Sequence, residues 1–246
     1  MSEGPVLLSL ACIGVAAGAN VLGGLVVTRH EWDGRLLRYF VALGAGFMLA
    51  AVLLELVPES MRLSPQAPLL ILGGYLLVHL FEHTVAPHFH FGEETHHEHH
   101  HDAAVTVSAV IGLAVHSFFD GVTIGSSFLV DRTLGLVLFT AILLHKTPEG
   151  FAIASVVLAG HGTRAQALGA SCIVAAASLG GGIVILLVPG LVSWALGVSA
   201  GVTLYVAASD LVPEVNKETG TATAVTVFAG VVLYYATVHF LRLLGL

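Results

Sequence analysis

The chain has 246 residues, of which 56% are hydrophobic and only 10% are charged, with a formal net charge of −7 at pH 7. Soluble domains carry about a quarter charged residues, so this composition and a mean hydropathy of +0.91 exclude an ordinary soluble domain. They predict an integral membrane protein built from α-helices, and the acidic balance gives no reason to expect a nucleic-acid partner.

Apolar stretches of about 20 residues, long enough to cross a bilayer, predict eight transmembrane helices in one domain covering residues 1–246. The first has no basic segment before it and is longer than a signal-peptide core, so we expect a retained helix. The charge-free run 165–209 exceeds one span, and Val-Pro-Gly at 188–190 divides it. The expected helices lie near 5–28, 36–57, 67–86, 104–129, 133–159, 165–188, 191–212 and 221–243.

Basic residues near the helix ends give an orientation signal. With the N-terminus outside, five fall on the cytoplasmic side and three outside, so the positive-inside rule favours both termini outside a cytoplasmic or plasma membrane. The cytoplasmic set is Arg29, Arg35, Arg38, Arg164 and Lys217, and the outer set is Arg62, Arg132 and Arg242.

Two segments far apart in the chain repeat. GFMLAAVLLELVPE at 46–59 aligns without gaps with GVTLYVAASDLVPE at 201–214, so that Glu55 corresponds to Asp210. The second and seventh helices are an odd number of spans apart and therefore run in opposite directions. This arrangement predicts inverted repeats, a common architecture of secondary transporters.

A second repeat places ionisable residues inside the fourth and fifth helices. HSFFDG at 116–121 and HKTPEG at 145–150 each have a histidine followed four residues later by a carboxylate. Because positions i and i+4 share a helix face, two adjacent helices would present two imidazoles and two carboxylates to one point. This ligand set suits Zn²⁺ and similar divalent first-row metals. The four side chains are His116, Asp120, His145 and Glu149.

Charges inside an apolar helix are costly. An Asp or Lys at a helix centre costs about 2.5–3.5 kcal/mol, so Asp120, Lys146 and Glu149 together would cost roughly 8–10 kcal/mol if unpaired. A chain keeps such residues when they face one another, water or an ion. A purely architectural polar core is the alternative, but the repeated spacing favours a metal site. Pro148 removes a backbone donor and is expected to kink the fifth helix, freeing the carbonyl of Leu144.

These motifs resemble the paired signatures of the ZIP (Zrt/Irt-like) metal transporters, in which His-Asn-x-x-Asp/Glu-Gly on the fourth helix is followed by His-x-x-Pro-Glu-Gly on the fifth. The resemblance extends to the eight spans, LELVPES at 54–60, GYLLVHLFEH at 74–83 and a His-rich loop after the third helix. Carried over by position, the primary metal site is His116, Asp120, His145 and Glu149.

The resemblance implies transport of divalent metal, foremost Zn²⁺, toward the cytoplasm, with both termini outside and no enzymatic cofactor. It also implies a 3+2+3 arrangement in which helices one to three and six to eight form the inverted repeats. Alternating access would follow from a metal-carrying helix group sliding, like an elevator, against a scaffold. Scaffolds of this family often dimerise, so the resemblance implies a homodimer as well.

The sequence departs from the family pattern at the second metal. Many members bind it with an Asn after the first His, a carboxylate or Asn after the second His, and a Glu on helix six. Those positions hold Ser117, Lys146 and the acid-free stretch 175–182. A protonated amine cannot ligate a cation and repels one. We therefore predict a mononuclear site in which Lys146, beside Ser117, substitutes for the second metal.

Seven of the fourteen histidines lie in the hydrophilic loop 87–102, which has no Lys or Arg. Such clusters bind metals loosely, so we expect a cytoplasmic loop that captures metal or senses flux. A solvated linker is the alternative. The histidines are His88, His90, His96, His97, His99, His100 and His101.

Polar residues near helix ends are candidates for a release path. H-x-x-E-H on the third helix formally matches an inverted zinc-protease motif, but the pattern is short and frequent by chance. A release route or an interfacial helix end fits its position better. The repeat-matched acids each lie one turn before a proline that should end the helix, where they could guide metal or hold helices together. The candidate path residues are Glu55, Asp210, His79, Glu82 and His83.

Two other functions fit part of the pattern. A metal exporter of the cation diffusion facilitator type also uses paired His/Asp positions and a His-rich loop, but it normally has six spans and a soluble C-terminal domain. An intramembrane zinc-dependent hydrolase would need an open coordination position and a water-activating base. The duplicated ligand sets and the inverted repeat favour a carrier, not an enzyme. The cargo could also be Cd²⁺, Fe²⁺, Co²⁺ or Mn²⁺, because affinity order alone does not set selectivity.

Overall fold

A computed structural model describes residues 3–29, 34–84, 103–217 and 221–245. Nearly all of these residues are helical, and the described part of the chain contains eight helices long and apolar enough to span a membrane. The predicted all-α membrane class is therefore confirmed. Helices are the expected solution, because a span in lipid must satisfy its backbone hydrogen bonds within itself.

The eight helices are labelled α1 to α8 in chain order. Six of them are uninterrupted: α1 Glu3–Arg29, α3 Ala67–Thr84, α4 Ala103–Val130, α5 Arg132–Ala159, α6 Arg164–Leu187 and α8 Thr221–Leu243. The other two are composite. Helix α2 consists of Gly34–Ala51, Val52–Leu56 and Val57–Leu63, and α7 consists of Pro189–Leu191, Val192–Tyr205, Val206–Leu211 and Val212–Lys217.

Both composite helices pass through a proline, whereas the sequence predicted that Pro58 and Pro213 would end them. Proline lacks a backbone N–H and normally interrupts the hydrogen-bond ladder. Here the turn before each proline widens into a π-helical segment, Val52–Leu56 in α2 and Val206–Leu211 in α7. The prediction that these prolines end the helices was wrong, because the wider turn accommodates each proline and the helix continues.

The two π-helical segments are equivalent in the repeat. The N–H of Val57 donates to the carbonyl of Val52, and the N–H of Val212 donates to the carbonyl of Ala207, each five residues back. Both segments contain the repeat-matched acid. Isolated π-helical turns occur frequently at functional sites, so the shared geometry makes Glu55 and Asp210 candidates for a functional role.

The helices pack in two groups. The α4/α5 group consists of α1, α4, α5 and α6, in which α4 packs on α6 and α1 packs on α5 and α6. The α2/α7 group consists of α2, α3, α7 and α8, in which α3 packs on α7 and α2 on α8. The two groups meet mainly where α2 contacts α5 and where α4 contacts α7.

Close backbone approaches inside the α2/α7 group are reciprocal between the two halves of the chain. A Cβ atom at Gly46 of α2 would strike the carbonyl oxygen of Val227 in α8. A Cβ atom at Gly201 of α7, the repeat-matched glycine, would strike the carbonyl oxygen of Ile71 in α3. Small residues allow such contacts between membrane helices. Helices α2 and α8 therefore approach each other as α7 and α3 do.

The α4/α5 group shows the same reciprocity. A Cβ atom at Gly23 of α1 would strike the carbonyl oxygen of Thr147 in α5, and one at Gly181 of α6 would strike that of Phe118 in α4. Thr147 and Phe118 are the third residues of the two histidine motifs. The α1–α5 approach is therefore matched by the α6–α4 approach. The 3+2+3 arrangement stays a prediction, which these paired approaches support.

Candidate metal centre

Helices α4 and α5 form a hairpin whose turn sets the register of the two histidine motifs. Only Asp131 separates them, and its side chain accepts hydrogen bonds from the backbone N–H groups of Thr133 at 2.8 Å and Leu134 at 3.0 Å. This N-cap satisfies two of the orphan donors of α5. With so short a connection, α4 and α5 must lie side by side and antiparallel.

The hairpin brings the four predicted ligands together. One ligand atom from each of the four side chains lies within 4.8 Å of all the others. All four side chains are buried, and the group is the only one of its kind among the described residues. The members are His116, Asp120, His145 and Glu149.

Asp120 is the centre of this group. Its Oδ2 atom lies 3.2 Å from Nε2 of His116 and 3.3 Å from Nε2 of His145. The Nε2 atom of His145 lies 3.9 Å from Oε2 of Glu149. In a tetrahedral zinc site with bonds near 2.0–2.1 Å, ligand atoms are roughly 3.3 Å apart. The contacts of Asp120 already match this spacing, whereas Glu149 would have to move closer to His145 to complete a tetrahedral site.

The ring of His145 has a fixed orientation. Its Nδ1 atom lies 3.2 Å from the carbonyl oxygen of Ala141, one turn earlier in α5. A carbonyl can only accept, so this contact places the proton on Nδ1 and leaves Nε2 as the ligating nitrogen. The rings of His116 and His145 are 5.7 Å apart between centroids, which lets both edges face Asp120.

Lys146 is fully buried against the same group. Its Nζ atom lies 2.7 Å from Oδ2 of Asp120 and 2.6 Å from Oε2 of Glu149, and it donates to Oγ of Ser117 at 2.5 Å. The Ser117 hydroxyl donates in turn to Oε1 of Glu149. Both residues predicted at the second metal position therefore lie at Glu149, and the ammonium bridges the two carboxylates.

Pro148 lies inside α5, which continues to Ala159. A cavity of about 310 Å³ adjoins it and is lined by side chains of α1, α2 and α5, including Phe40, Leu144 and Thr147. At the end of the motif, a Cβ atom at Gly150 would strike the carbonyl oxygen of Asn20 in α1. The motif is thus packed tightly on α1 beside an open apolar cavity.

Two predicted path residues line a cavity that reaches the metal group. The cavity is about 80 Å³ and lies between α3, α4 and α7, with His116, Glu82 and Asp210 in its wall. The hydroxyl of Tyr205 donates to Oε2 of Glu82 at 2.8 Å. Sequence reasoning missed Tyr205, for which the only available signal was a phenol inside an apolar span.

The other predicted path residues do not join the metal group. His79 and His83 are exposed on α3, where Nδ1 of His83 lies 2.8 Å from the carbonyl oxygen of His79 and the rings are 4.1 Å apart. Glu55 accepts a hydrogen bond from the hydroxyl of Tyr234 at 3.1 Å, which connects α2 to α8. The predicted His-rich loop 87–102 lies outside the described residues.

Comparisons with known proteins agree on one family. Residues 103–238, more than half of the chain, match the family model described as ZIP zinc transporter. The chain is 26% identical over 124 residues to the zinc transporter zipt-7.2 of Caenorhabditis elegans, covering 46% of this chain and 27% of that protein.

Two further relatives give similar values. Identity to the human zinc transporter SLC39A7 is 29% over 126 residues, covering 46% of this chain and 27% of the relative. Identity to the zinc transporter ZIP9 of Xenopus tropicalis is 27% over 173 residues, covering 70% of this chain and 50% of that protein. The alignments thus cover half of the length of these relatives or less.

Proposed function

The chain belongs to the ZIP zinc transporter family, and we propose that it carries divalent transition metal, foremost Zn²⁺, across the membrane toward the cytoplasm. The observation that carries the proposal is the buried group of two imidazoles and two carboxylates within 4.8 Å, on two helices that span the membrane. Nitrogen and oxygen donors of this kind hold Zn²⁺ and its first-row neighbours. The ligands are His116, Asp120, His145 and Glu149.

The packing of the helices supports alternating access. All four proposed ligands belong to the α4/α5 group, which meets the α2/α7 group mainly where α2 contacts α5 and where α4 contacts α7. We propose that the α4/α5 group moves as a unit with its metal along the α2/α7 group. The reciprocal glycine contacts support this, because inverted repeats allow two related conformations that open to opposite sides.

The release path in this proposal is the cavity beside His116. It is lined by the C-terminal half of α3 and the N-terminal half of α4, the halves nearest the loop 87–102. Glu82 and Asp210 in its wall would receive the ion after it leaves His116. If that loop is cytoplasmic, as the charge count indicates, metal leaves toward the cytoplasm.

The proposed centre holds one metal ion. By the family resemblance, Lys146 takes a position that ligates a second metal in many members, and the contacts of its ammonium with one oxygen of each carboxylate support this assignment. A homodimer, implied by the family resemblance, remains a prediction. An exporter would move metal the other way, and a hydrolase would need a water-activating base beyond these four ligands.

Replacing both histidines tests the function. We expect His116→Ala/His145→Ala to lower radiolabelled zinc uptake into proteoliposomes by at least about 100-fold, because losing even an outer partner of a metal ligand typically costs 10–100-fold. The matched control is His239→Ala, which removes an exposed histidine of α8 and should leave uptake unchanged. Equal uptake by wild type and the double variant would contradict the site, and outward-only flux in cells would favour an exporter.

A charge reversal tests the mononuclear assignment. Lys146→Asp is expected to raise bound zinc from one ion to two per chain, because it removes a repelling ammonium and adds a carboxylate beside Glu149 and Ser117. Metal content after equilibrium dialysis in detergent is the measurement. Lys146→Ala, which removes the ammonium without adding a ligand, is the control and should stay at one. If Lys146→Asp also bound one zinc ion per chain, the hypothesis that Lys146 takes the place of a second metal would be wrong.

A further inference from the structure

Lys146 is placed to set the charge of the proposed site as well as the number of metal ions it holds. Its ammonium does not approach a single partner but lies between Asp120 and Glu149, at 2.7 Å and 2.6 Å from one oxygen of each. Those same two oxygens face the Nε2 atom of His145. An ion held by His145 and either oxygen would therefore compete with the ammonium for the same lone pairs.

The charge of the α4/α5 group is concentrated at this point. The spans of its four helices contain three Asp, Glu, Lys or Arg residues away from their ends, namely Asp120, Lys146 and Glu149. With neutral imidazoles these side chains sum to −1. Removing the ammonium would leave −2 in the apolar core of the group.

We propose that Lys146 is a built-in counter-cation that lets the α4/α5 group return across the membrane without metal. This inference rests on the proposed transport function. A carrier that delivers net metal must cross once loaded and once empty. With Lys146 the group carries +1 when loaded with a divalent ion and −1 when empty, whereas without it the values are 0 and −2.

The cost of moving charge through a low-dielectric region decides between these cases. In the Born picture this cost rises with the square of the charge, so the empty group without Lys146 would cost about four times as much as the empty group with it. The loaded group, at +1 with Lys146 and 0 without it, would cost no more in either case than the empty group with Lys146. Loss of the ammonium should therefore slow the return step selectively.

This selectivity gives the experiment two readouts. Net uptake of radiolabelled zinc into zinc-free proteoliposomes requires the empty return, but exchange into vesicles preloaded with unlabelled zinc does not. We expect Lys146→Met, which keeps an unbranched chain as far as Cε but removes the ammonium, to reduce net uptake by at least about 10-fold while exchange stays within about threefold of wild type. Zinc affinity should rise, since the competing ammonium is gone.

The conservative variant and a second neutral variant complete the test. Lys146→Arg keeps the charge and should restore net uptake relative to exchange. Should Lys146→Met fail to bind zinc, Lys146→Gln is the second neutral variant, because its amide can still form a hydrogen bond with Ser117. Its net uptake is compared with its exchange in the same way. Equal changes in net uptake and exchange in the neutral variants would overturn the inference. Absence of both fluxes in the wild type would instead refute the proposed function.

Discussion

Asp120→Asn is expected to weaken zinc binding at the buried centre by at least about 100-fold and to destabilise the fold at the same time. The substitution keeps the volume of the side chain and removes its charge. Oδ2 of Asp120 lies within 3.3 Å of His116 Nε2, His145 Nε2 and Lys146 Nζ, so three nitrogen partners lose the negative charge that they share.

The loss of stability has its own cause. Once Asp120 is neutral, the fully buried ammonium of Lys146 has Glu149 as its remaining carboxylate. Removing one partner of a buried ion pair typically costs about 3–5 kcal/mol, because the other charge stays buried without full compensation. The thermal unfolding midpoint in detergent without added metal measures this effect, and titration calorimetry with zinc measures the affinity.

Asp131→Asn is the matched control for this experiment. Asp131 caps α5 from the exposed turn of the same hairpin, and asparagine is an equally good N-cap. The zinc affinity and the thermal unfolding midpoint of this variant should both remain close to those of the wild type. If Asp120→Asn kept its zinc affinity, Asp120 would not be a ligand. If affinity fell while the midpoint did not, the ion pair with Lys146 would contribute nothing to stability.

The metal group could be predicted because its geometry is local. A spacing of four residues fixes each histidine and its carboxylate on one helix face, and a connection as short as Asp131 forces the two faces to meet. The sequence also identified Lys146 as the unusual member. That its ammonium bridges both carboxylates is not local information, because the long side chain reaches Asp120 on the neighbouring helix only after packing.

The π-helical segments and the tyrosine contacts could not be predicted from the sequence. Proline usually signals a helix end, and the wider turn that lets α2 and α7 continue depends on how these helices pack. Tyr205 and Glu82 are 123 residues apart, and Tyr234 and Glu55 are 179 apart, so no local pattern joins them. Sequence spacing therefore located the four side chains of the proposed metal site but not the hydrogen-bond partners of Glu82 and Glu55.

The reciprocal glycine contacts lead to a second large expected effect. Gly181→Val is expected to destabilise the protein by about 3 kcal/mol or more, because the added Cβ atom would overlap the backbone carbonyl of Phe118. No flexible side chain can move aside, so α6 must shift away from α4. For a chain of this size the unfolding midpoint in detergent should fall by roughly 6–12 °C. Zinc affinity should fall as well, since α4 carries His116 and Asp120.

Gly180→Val is the matched control for Gly181→Val. A Cβ atom at Gly180 meets nothing within 4 Å, so Gly180→Val makes the same substitution on the same helix turn without the overlap. Its midpoint and zinc affinity should match wild type. Similar losses in both variants would mean that valine itself disturbs α6 and that the approach to Phe118 is unimportant.

The other half of the chain offers the same experiment. Gly23→Val would overlap the carbonyl of Thr147, whereas a Cβ atom at Gly18, earlier in the same helix, meets nothing within 4 Å. If the α1–α5 and α6–α4 contacts are equivalent parts of an inverted repeat, Gly23→Val and Gly181→Val should be destabilising to a similar degree. A large effect at Gly181 with none at Gly23 would contradict the equivalence and would leave α1 outside the unit that carries the metal.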